Sequence, residues 1–312
     1  MVMQLDAIDK QLWLELAQNC RYSYQYIADR IGISANAVKQ RVAKLLESGF
    51  IERWFLTFRP AMIDAHFAFI EVKTDGSQSE EEMIKTLGNH PQIYVVLPLT
   101  TGDFILHAEY TDSNSMHEMS SYIRATEGVT NVIVHPTIAS VGKKMELGPL
   151  HLRVLRWLLE DPRASITDIA QQSRLTARRV KKLVDELVES DAFDFSFVWN
   201  PNAGDSVAFI SKLRYDSKET QPDDISRIIQ EEYPLEYFYS HISAIEPVMF
   251  SVFLVDHLFD IQKISRELRK FQGIKSLSTM IYYSAIVLEP LTRVKLMELV
   301  SAYTKQDIAD SQ

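Results

Sequence analysis

The sequence predicts an α+β chain in which two winged helix-turn-helix domains alternate with two ferredoxin-like β-α-β-β-α-β domains. Three observations predict it. The amphipathic stretch "ISANAVKQRVAKLLESGFI" at 33–51 has an echo, "LTARRVKKLVDELVESDAF", at 175–193. The flanking residues align without a gap, Arg21 over Arg163, Ser23 over Ser165, Ile27-Ala28 over Ile169-Ala170, Val38 over Val180 and Leu45 over Leu187. The segments after each unit then repeat one order of strands and helices. Matches at packing and capping positions, with the loop register kept, mark a duplicated unit. The expected domains are 1–60 (winged helix), 61–141 (ferredoxin-like), 142–202 (second, divergent winged helix) and 203–312 (second ferredoxin-like, with a C-terminal helix).

Residues 5–51 read as three helices and a strand. Asp6 can cap the first helix, whose apolar face is Ile8, Leu12 and Leu16. Ser23 caps "YQYIADRI", Gly32 supplies the tight turn, where a missing Cβ costs least, and Ser34 caps the third helix. A short helix, a glycine turn and a second helix are the parts of a helix-turn-helix. "FIERWFLTFR" alternates like a strand and is expected to form a wing. "AHFAFIEVKT" is the next strand, and Ser79 opens the short helix "SEEEMIKTLGNHP". "QIYVVLPLTTGDFILHAEYTD" reads as two strands around Thr101-Gly102-Asp103, followed by the helix "NSMHEMSSYIRATEG" and the strand "VTNVIVHPTIA". A short linker at Gly142-Lys143-Lys144 leads to the second copy, where "VAFISKLRYD", "DDISRIIQEEYP", "EYFYSHISAIEPVMFSVFLVD", "DIQKISRELRKFQG" and "IKSLSTMIYYSAI" repeat the order. Pro290 opens a C-terminal helix without counterpart in the first half. The order is that of the split βαβ fold.

The chain has 312 residues, 46% hydrophobic and 24% charged, the composition of a folded protein rather than a disordered one. No apolar run reaches the roughly 18–20 residues of a membrane span, so no membrane association is expected. The N-terminus lacks a basic region followed by an apolar stretch, and a cytoplasmic location is expected. The single Cys20 excludes an intrachain disulfide and a Cys-rich metal site, and the eight histidines are scattered. Hence no metal, no cofactor and no catalytic residue are expected. Net charge is −9 but alternates: residues 1–60 carry +2, 61–140 carry −8, 141–202 carry +1 and 203–312 carry −4. A local basic face can therefore meet phosphates while acidic domains keep the chain dispersed.

On a helical wheel, Ala35, Val38, Val42, Leu45 and Leu46 gather on one side of the third helix and Asn36, Gln40, Ala43, Lys44 and Glu47 on the other. Lys39 and Arg41 flank the outer face. Amide side chains near a helix N-terminus can reach base edges, Asn or Gln pairing with adenine. Flanking cations and the N-terminus itself suit phosphates. The candidate DNA contacts are Ser34, Asn36, Lys39, Gln40, Arg41 and Lys44, with Arg53 and Arg59 on the wing strand. A solvated helix in a protein-interaction module shows the same pattern. In the second copy Arg178, Arg179 and Lys182 crowd the first turns, Leu183 replaces Arg41, Asp185 and Glu186 replace Ala43 and Lys44, and Arg174 stands at the place of Gly32. That helix either touches DNA by its tip alone or is mainly structural.

"LDAIDKQLWLEL" and "RYSYQYIADRIGISANAVKQRVAKLLESGFI" resemble the Lrp/AsnC family of prokaryotic transcription regulators, at Leu5-Asp6, Asp9, Arg21, Ile27-Ala28, Gly32, Ser34, Val38, Arg41, Leu45 and Gly49-Phe50-Ile51. The following β-α-β-β-α-β region looks like that family's effector domain, and Gly102-Asp103-Phe104 fits its Gly-Asp-Tyr-Asp turn. The resemblance implies a non-enzymatic regulator that binds double-stranded DNA and responds to an amino acid or other small effector at Thr101, Gly102 and Asp103. Departures weigh against that effector site: Ile105 replaces the second Asp, Val132 and Val134 stand where threonines are common, and Glu246-Pro247-Val248 replaces the turn in the second copy. Gly102 is equally what a tight turn requires.

Two other functions compete. Siroheme decarboxylases share this architecture and would need a histidine- and arginine-lined pocket. The region comparable to their Tyr-Asn-x-Trp-Phe stretch is "GDFILHAEY", without the tryptophan and with His107 as the titratable ring near it. A scaffold whose winged helices bind protein is the third. Strand faces such as "FAFIEV" and "MIYYSAIVL" are apolar enough to need a partner sheet, supplied within the chain or by a second copy. A homodimer of two-module chains, or a higher homo-oligomer, is the favoured expectation.

Overall fold

A computed structural model describes residues 4–138 and 141–309. The first module runs α1 (Ala7–Gln18), α2 (Tyr24–Ile31), α3 (Ala35–Glu47), β1 (Ile51–Phe58), β2 (His66–Thr74), α4 (Glu80–Gly88), β3 (Ile93–Pro98), β4 (Phe104–Tyr110), α5 (Ser113–Ala125) and β5 (Val129–Ile138). Ala139, the expected last residue of that strand, lies outside the described residues. The second module runs α6 (Pro149–Glu160), α7 (Ile166–Ser173), α8 (Ala177–Glu189), β6 (Phe193–Trp199), β7 (Val207–Tyr215), α9 (Pro222–Glu232), β8 (Tyr237–Ser243), β9 (Val248–Val255), α10 (Leu258–Leu268), β10 (Ile274–Tyr282) and β11 (Ile286–Val287). The helix α11 (Leu291–Ala309) closes the chain. The fold is the α+β alternation of winged helices and ferredoxin-like domains that the sequence predicts.

The two four-stranded sheets are one assembly. Strand order is β10-β7-β9-β8-β5-β2-β4-β3-β11. β5 joins the halves by pairing Thr137 with Ser243 and Ile138 with Ile242 on β8. At the far edges β11 pairs with β3, and Leu99 bridges to Tyr282 at the end of β10. The Thr100 N–H donates to the Ile281 carbonyl at 3.0 Å, and the Ala244 N–H donates to the Pro136 carbonyl at 2.7 Å. The two contacts are counterparts under the duplication, so the halves are related by an approximate two-fold. The sheets also meet face to face: Phe69 on β2 stacks on Phe250 on β9 with ring centres 4.1 Å apart. Outside, α4 and α5 cover the first sheet through Met83, Leu87, Met119 and Ile123. α9 and α10 cover the second through Ile225, Ile229, Ile261 and Ile264. The apolar faces that suggested a second chain are thus covered within this one.

The strand expected to be a wing has another role. β1 pairs antiparallel with β6 along its length, from Ile51 opposite Trp199 to Phe58 opposite Phe193. It forms a two-stranded ribbon that ties the helix-turn-helix units together. Alternation predicts a strand but not its partner, which here lies in the other module. Reciprocal arginines lock the ribbon's flanks. Arg21 donates to the Pro162 and Ala164 carbonyls, and Arg163 donates to the Cys20 carbonyl. These are the paired positions of the repeat.

α1 is pinned on the second module: Trp13 stacks on Phe238 at 4.5 Å, and Lys10 meets Asp256 at 2.7 Å. α11 ties the remaining corner. Leu296 and Val300 join the core of the second helix-turn-helix. At its start the Thr292 N–H and hydroxyl donate to the Glu109 carboxylate at 2.7 and 2.9 Å, and Arg293 donates to the Leu56 carbonyl at 2.6 Å. A carboxylate against a helix N-terminus satisfies orphan N–H groups and the helix dipole together.

An ion pair joins the two sheets. Lys212 of β7 meets Glu71 of β2 at 2.6 Å, and Glu71 also lies 2.9 Å from Nε2 of the buried His135, whose Nδ1 lies 3.2 Å from the Ser243 hydroxyl. Burial pushes the Glu71 carboxyl up, but the bonds to His135 and Lys212 outweigh it and hold the group below its ordinary value. Removing one partner of such a pair leaves an uncompensated charge. Lys212→Met should therefore lower unfolding stability by roughly 3 kcal/mol in denaturant titration, with Lys212→Met/Glu71→Gln recovering part of the loss. A single variant as stable as the parent would show that the pair does not hold the seam.

Candidate functional site

The first helix-turn-helix is built by its caps. The Asp6 side chain accepts from the Asp9 N–H and Asp9 reciprocates, Ser23 accepts from the Tyr26 N–H, and Ser34 accepts from the Ala37 N–H. Gly32 closes α2 in the left-handed region at φ 76°. Val38, Val42 and Leu45 of α3 are buried as the wheel requires. Leu46 is not: it is 37% exposed, at the edge of the apolar stripe rather than in it. Ser34, Asn36, Lys39, Gln40 and Lys44 are all exposed, so five of the expected contacts share one solvent-facing surface.

The three arginines expected of the first unit are engaged with carboxylates of the protein. Arg41 bonds Asp9 at 2.6 Å and Asp6 at 2.8 Å, clamping α3 to the start of α1. Those hydrogen bonds raise its basicity further. Arg53 meets Glu289 at 3.0 Å with its guanidinium over the Phe55 ring, and Arg59 meets Asp191 at 3.0 Å. Both lie on or beside the ribbon rather than on a free wing. These three side chains make intramolecular ion pairs in this conformation.

The second copy keeps the turn without its glycine: Arg174 adopts the left-handed conformation at φ 56°. Arg178 and Arg179 are exposed on the first turn of α8, and no carboxylate pairs with them among the described residues. Further along, Lys181 pairs with Asp185 at 2.6 Å and Lys182 with Glu186 at 3.5 Å. Leu183, at the place of Arg41, is buried. The cationic surface of α8 is thus concentrated at its tip.

The turn at Thr101-Gly102-Asp103 uses its own polar groups. Gly102 has φ 85°. The Thr74 N–H donates to Asp103 Oδ1 at 3.1 Å, the Thr74 hydroxyl to the Gly102 carbonyl at 2.9 Å, and the Thr101 hydroxyl to Asp103 Oδ2 at 3.3 Å. These bonds tie the turn to the end of β2.

A different site lies where the modules meet. A cavity of about 890 Å³ opens between α1, the end of α2, the ribbon and both sheets. His107 of β4 and His241 of β8 meet edge to face in its lining, ring centres 4.8 Å apart, and Tyr94 of β3 lies 6.0 Å from His107. His107 is therefore not the lone titratable ring of its region; its neighbours arrive from other strands and from the other module. Burial, with the His241 charge adding, holds His107 well below the ordinary value, and burial alone lowers His241 to about 4. Both rings are neutral near pH 7. Glu109, two residues from His107 on the same face of β4, is pushed by burial up to about 7, the Thr292 bonds opposing. Burial also raises Asp194 on β6, with Arg59 opposing. Sequence reasoning missed His241, Tyr94, Glu109 and Asp194. The one local signal was the alternation His107-Ala108-Glu109, two polar residues on one face of an otherwise apolar strand.

Two family models match the chain. Residues 5–46 match the AsnC-type helix-turn-helix domain, and residues 147–191 match the family described as winged helix-turn-helix DNA-binding. The first helix-turn-helix is thus of AsnC type. A second winged helix-turn-helix follows it in the same chain. The HTH-type transcriptional regulator Rv2324 of Mycobacterium tuberculosis is 28% identical over 128 residues, 40% of this chain and 86% of the relative. The HTH-type transcriptional regulator FL11 of Pyrococcus horikoshii is 28% identical over 44% of this chain and 93% of its own. Over nearly the whole chain the fold is that of the siroheme decarboxylase NirDL, with a TM-score of 0.55, 14% identity, and coverage of 95% of this chain and 99% of that one.

The carboxyl of Glu109 makes a pH prediction. Its folded value of about 7 lies above the ordinary 4.5, so its favourable contribution is complete below pH 4.5 and is lost as pH rises through 7. Glu109→Gln, which keeps an acceptor for Thr292, should be about 3 kcal/mol more stable than the parent at pH 8 and about equal at pH 4.5. Equal stability of the two at both pH values would mean that the carboxylate is not desolvated.

Proposed function

We propose that the chain is a sequence-specific DNA-binding transcription regulator in which the two helix-turn-helix units divide the work. The observation that supports this most is the exposed face of α3, where Ser34, Asn36, Lys39, Gln40 and Lys44 stand together on a capped helix of AsnC type. In this reading Asn36 and Gln40 meet base edges while Lys39 and Lys44 meet phosphates. Arg41 acts indirectly by fixing α3 on α1. Arg178 and Arg179 add phosphate contacts from the tip of α8, and Lys182, shared with Glu186, contributes less. Double-stranded DNA is the partner. No described helix is long and apolar enough to cross a membrane.

A decarboxylase is the second reading, favoured by the fold shared with NirDL, which has also been solved with an iron-uroporphyrin III analogue. A macrocycle that carries carboxylates needs cations around it. The cavity lining offers one guanidinium, Arg30, already 2.8 Å from Glu15, and also carries Glu109 and Asp194. The residues present do not fit that group, so the regulator reading is preferred.

Binding to the DNA upstream of the chain's own gene should fall steeply with salt in a gel-shift titration, as phosphate neutralisation requires. Absence of binding to any DNA at low salt would sink the proposal. Gln40→Ala should weaken the specific site by about tenfold and random DNA by less than about twofold; equal losses would refute base reading. Arg178→Ala should weaken both by a similar factor of about three to ten. An unchanged affinity would show that α8 does not touch DNA.

A further inference from the structure

The inter-module cavity has the volume of a small-molecule site and a lining that specifies its ligand. Two features set the polarity. Nε2 of His107 and Nε2 of His241 are buried without a hydrogen-bond partner, and His107 is only 6% exposed. Buried polar atoms are ordinarily hydrogen-bonded, so these two nitrogens suit a polar occupant. The charged groups then set its sign. Glu109 and Asp194 both line the cavity with Tyr94, and both act electrostatically on its hydroxyl. They are linked through Thr57, which lies cross-strand from Asp194 and donates to the Thr292 hydroxyl at 2.9 Å, the group that donates to Glu109. Against them stands Arg30, already bonded to Glu15. Aromatic walls complete the site, among them Trp199 and Tyr239. Aromatic faces attract cations, and more strongly when water is excluded.

We propose that this cavity binds a small organic cation, an aromatic amine rather than an acid. Its ammonium sits between Glu109 and Asp194, its ring lies against the aromatic walls, and the neutral imidazoles of His107 and His241 supply the remaining hydrogen bonds. The site lies apart from the Thr101-Gly102-Asp103 turn and contacts α1 and α2 directly. The binding step does not depend on the DNA-binding reading and is measured without DNA.

The test uses matched probes on the full chain: tryptamine, phenethylamine and serotonin as cations, indole-3-acetate as the acid with the tryptamine ring, and uroporphyrin III. By isothermal titration at least one amine should bind about tenfold or more tighter than indole-3-acetate and uroporphyrin III. Glu109→Gln and Asp194→Asn should each weaken that amine by about tenfold with the melting transition retained. Ala17→Trp, which fills the cavity from α1, should abolish binding. No heat from any of the three amines at millimolar concentration overturns the proposal. So does an acid or the macrocycle binding more tightly than the amines, or an amine affinity untouched by both carboxylate variants.

Discussion

Everything in this molecule hangs on the pairing of two sheet edges that neither module can satisfy alone. A four-stranded ferredoxin-like sheet ends in rows of unpaired N–H and C=O groups and has one face left without helices. The edges are paired where β5 meets β8 and where β11 and the end of β10 meet β3. The faces are closed where Phe69 stacks on Phe250. Once the halves meet in this way, the linkers bring β1 and β6 side by side, and the ribbon fixes how the two helix-turn-helix units stand. The reciprocal Arg21 and Arg163 contacts then hold the loops that precede α2 and α7. The cavity is a by-product of the same geometry, a space left where α1, the ribbon and the two sheets cannot all touch.

Local rules made much of this legible. Ser23, Ser34 and Gly32 act within three or four residues of themselves, so their capping and turn roles could be read from spacing alone. The duplication was legible because Arg21 and Arg163 keep the same register. What escaped was everything that depends on distant partners. On a wheel Arg41 flanks an outward face, but Asp9 and Asp6 lie 32 and 35 residues away in sequence. Alternation marked β1 as a strand without saying that β6 would pair with it. His107 and His241 meet only because the sheets pack face to face. The candidate site was therefore readable along α3, which carries its own geometry, and unreadable in the cavity, which no single segment encodes.

Charge placement follows the same division. The chain is acidic overall, yet the exposed cations of α3 and the tip of α8 face outward, while many of the carboxylates that could oppose them are spent internally. Asp6 and Asp9 are committed to Arg41, and Glu289 to Arg53 and Arg293. Aligning a charged pair inside leaves the neighbouring surface with an unbalanced sign. In the second copy the balance runs the other way: Asp185 and Glu186 sit on the surface beside Lys181 and Lys182. The same fold thus presents one helix with cations along its length and another with cations at its start.

The ribbon and the shared sheet carry a further consequence. In a pair of identical chains every substitution is written twice, so the two reading heads stay alike and suit a palindromic target. Joining the heads in one polypeptide removes that constraint: Arg41 and Leu183 occupy matching places with unlike chemistry. It also makes the association unimolecular, so that the pair persists at any dilution. The two units of such a chain can diverge in sequence while the ribbon keeps their spacing fixed.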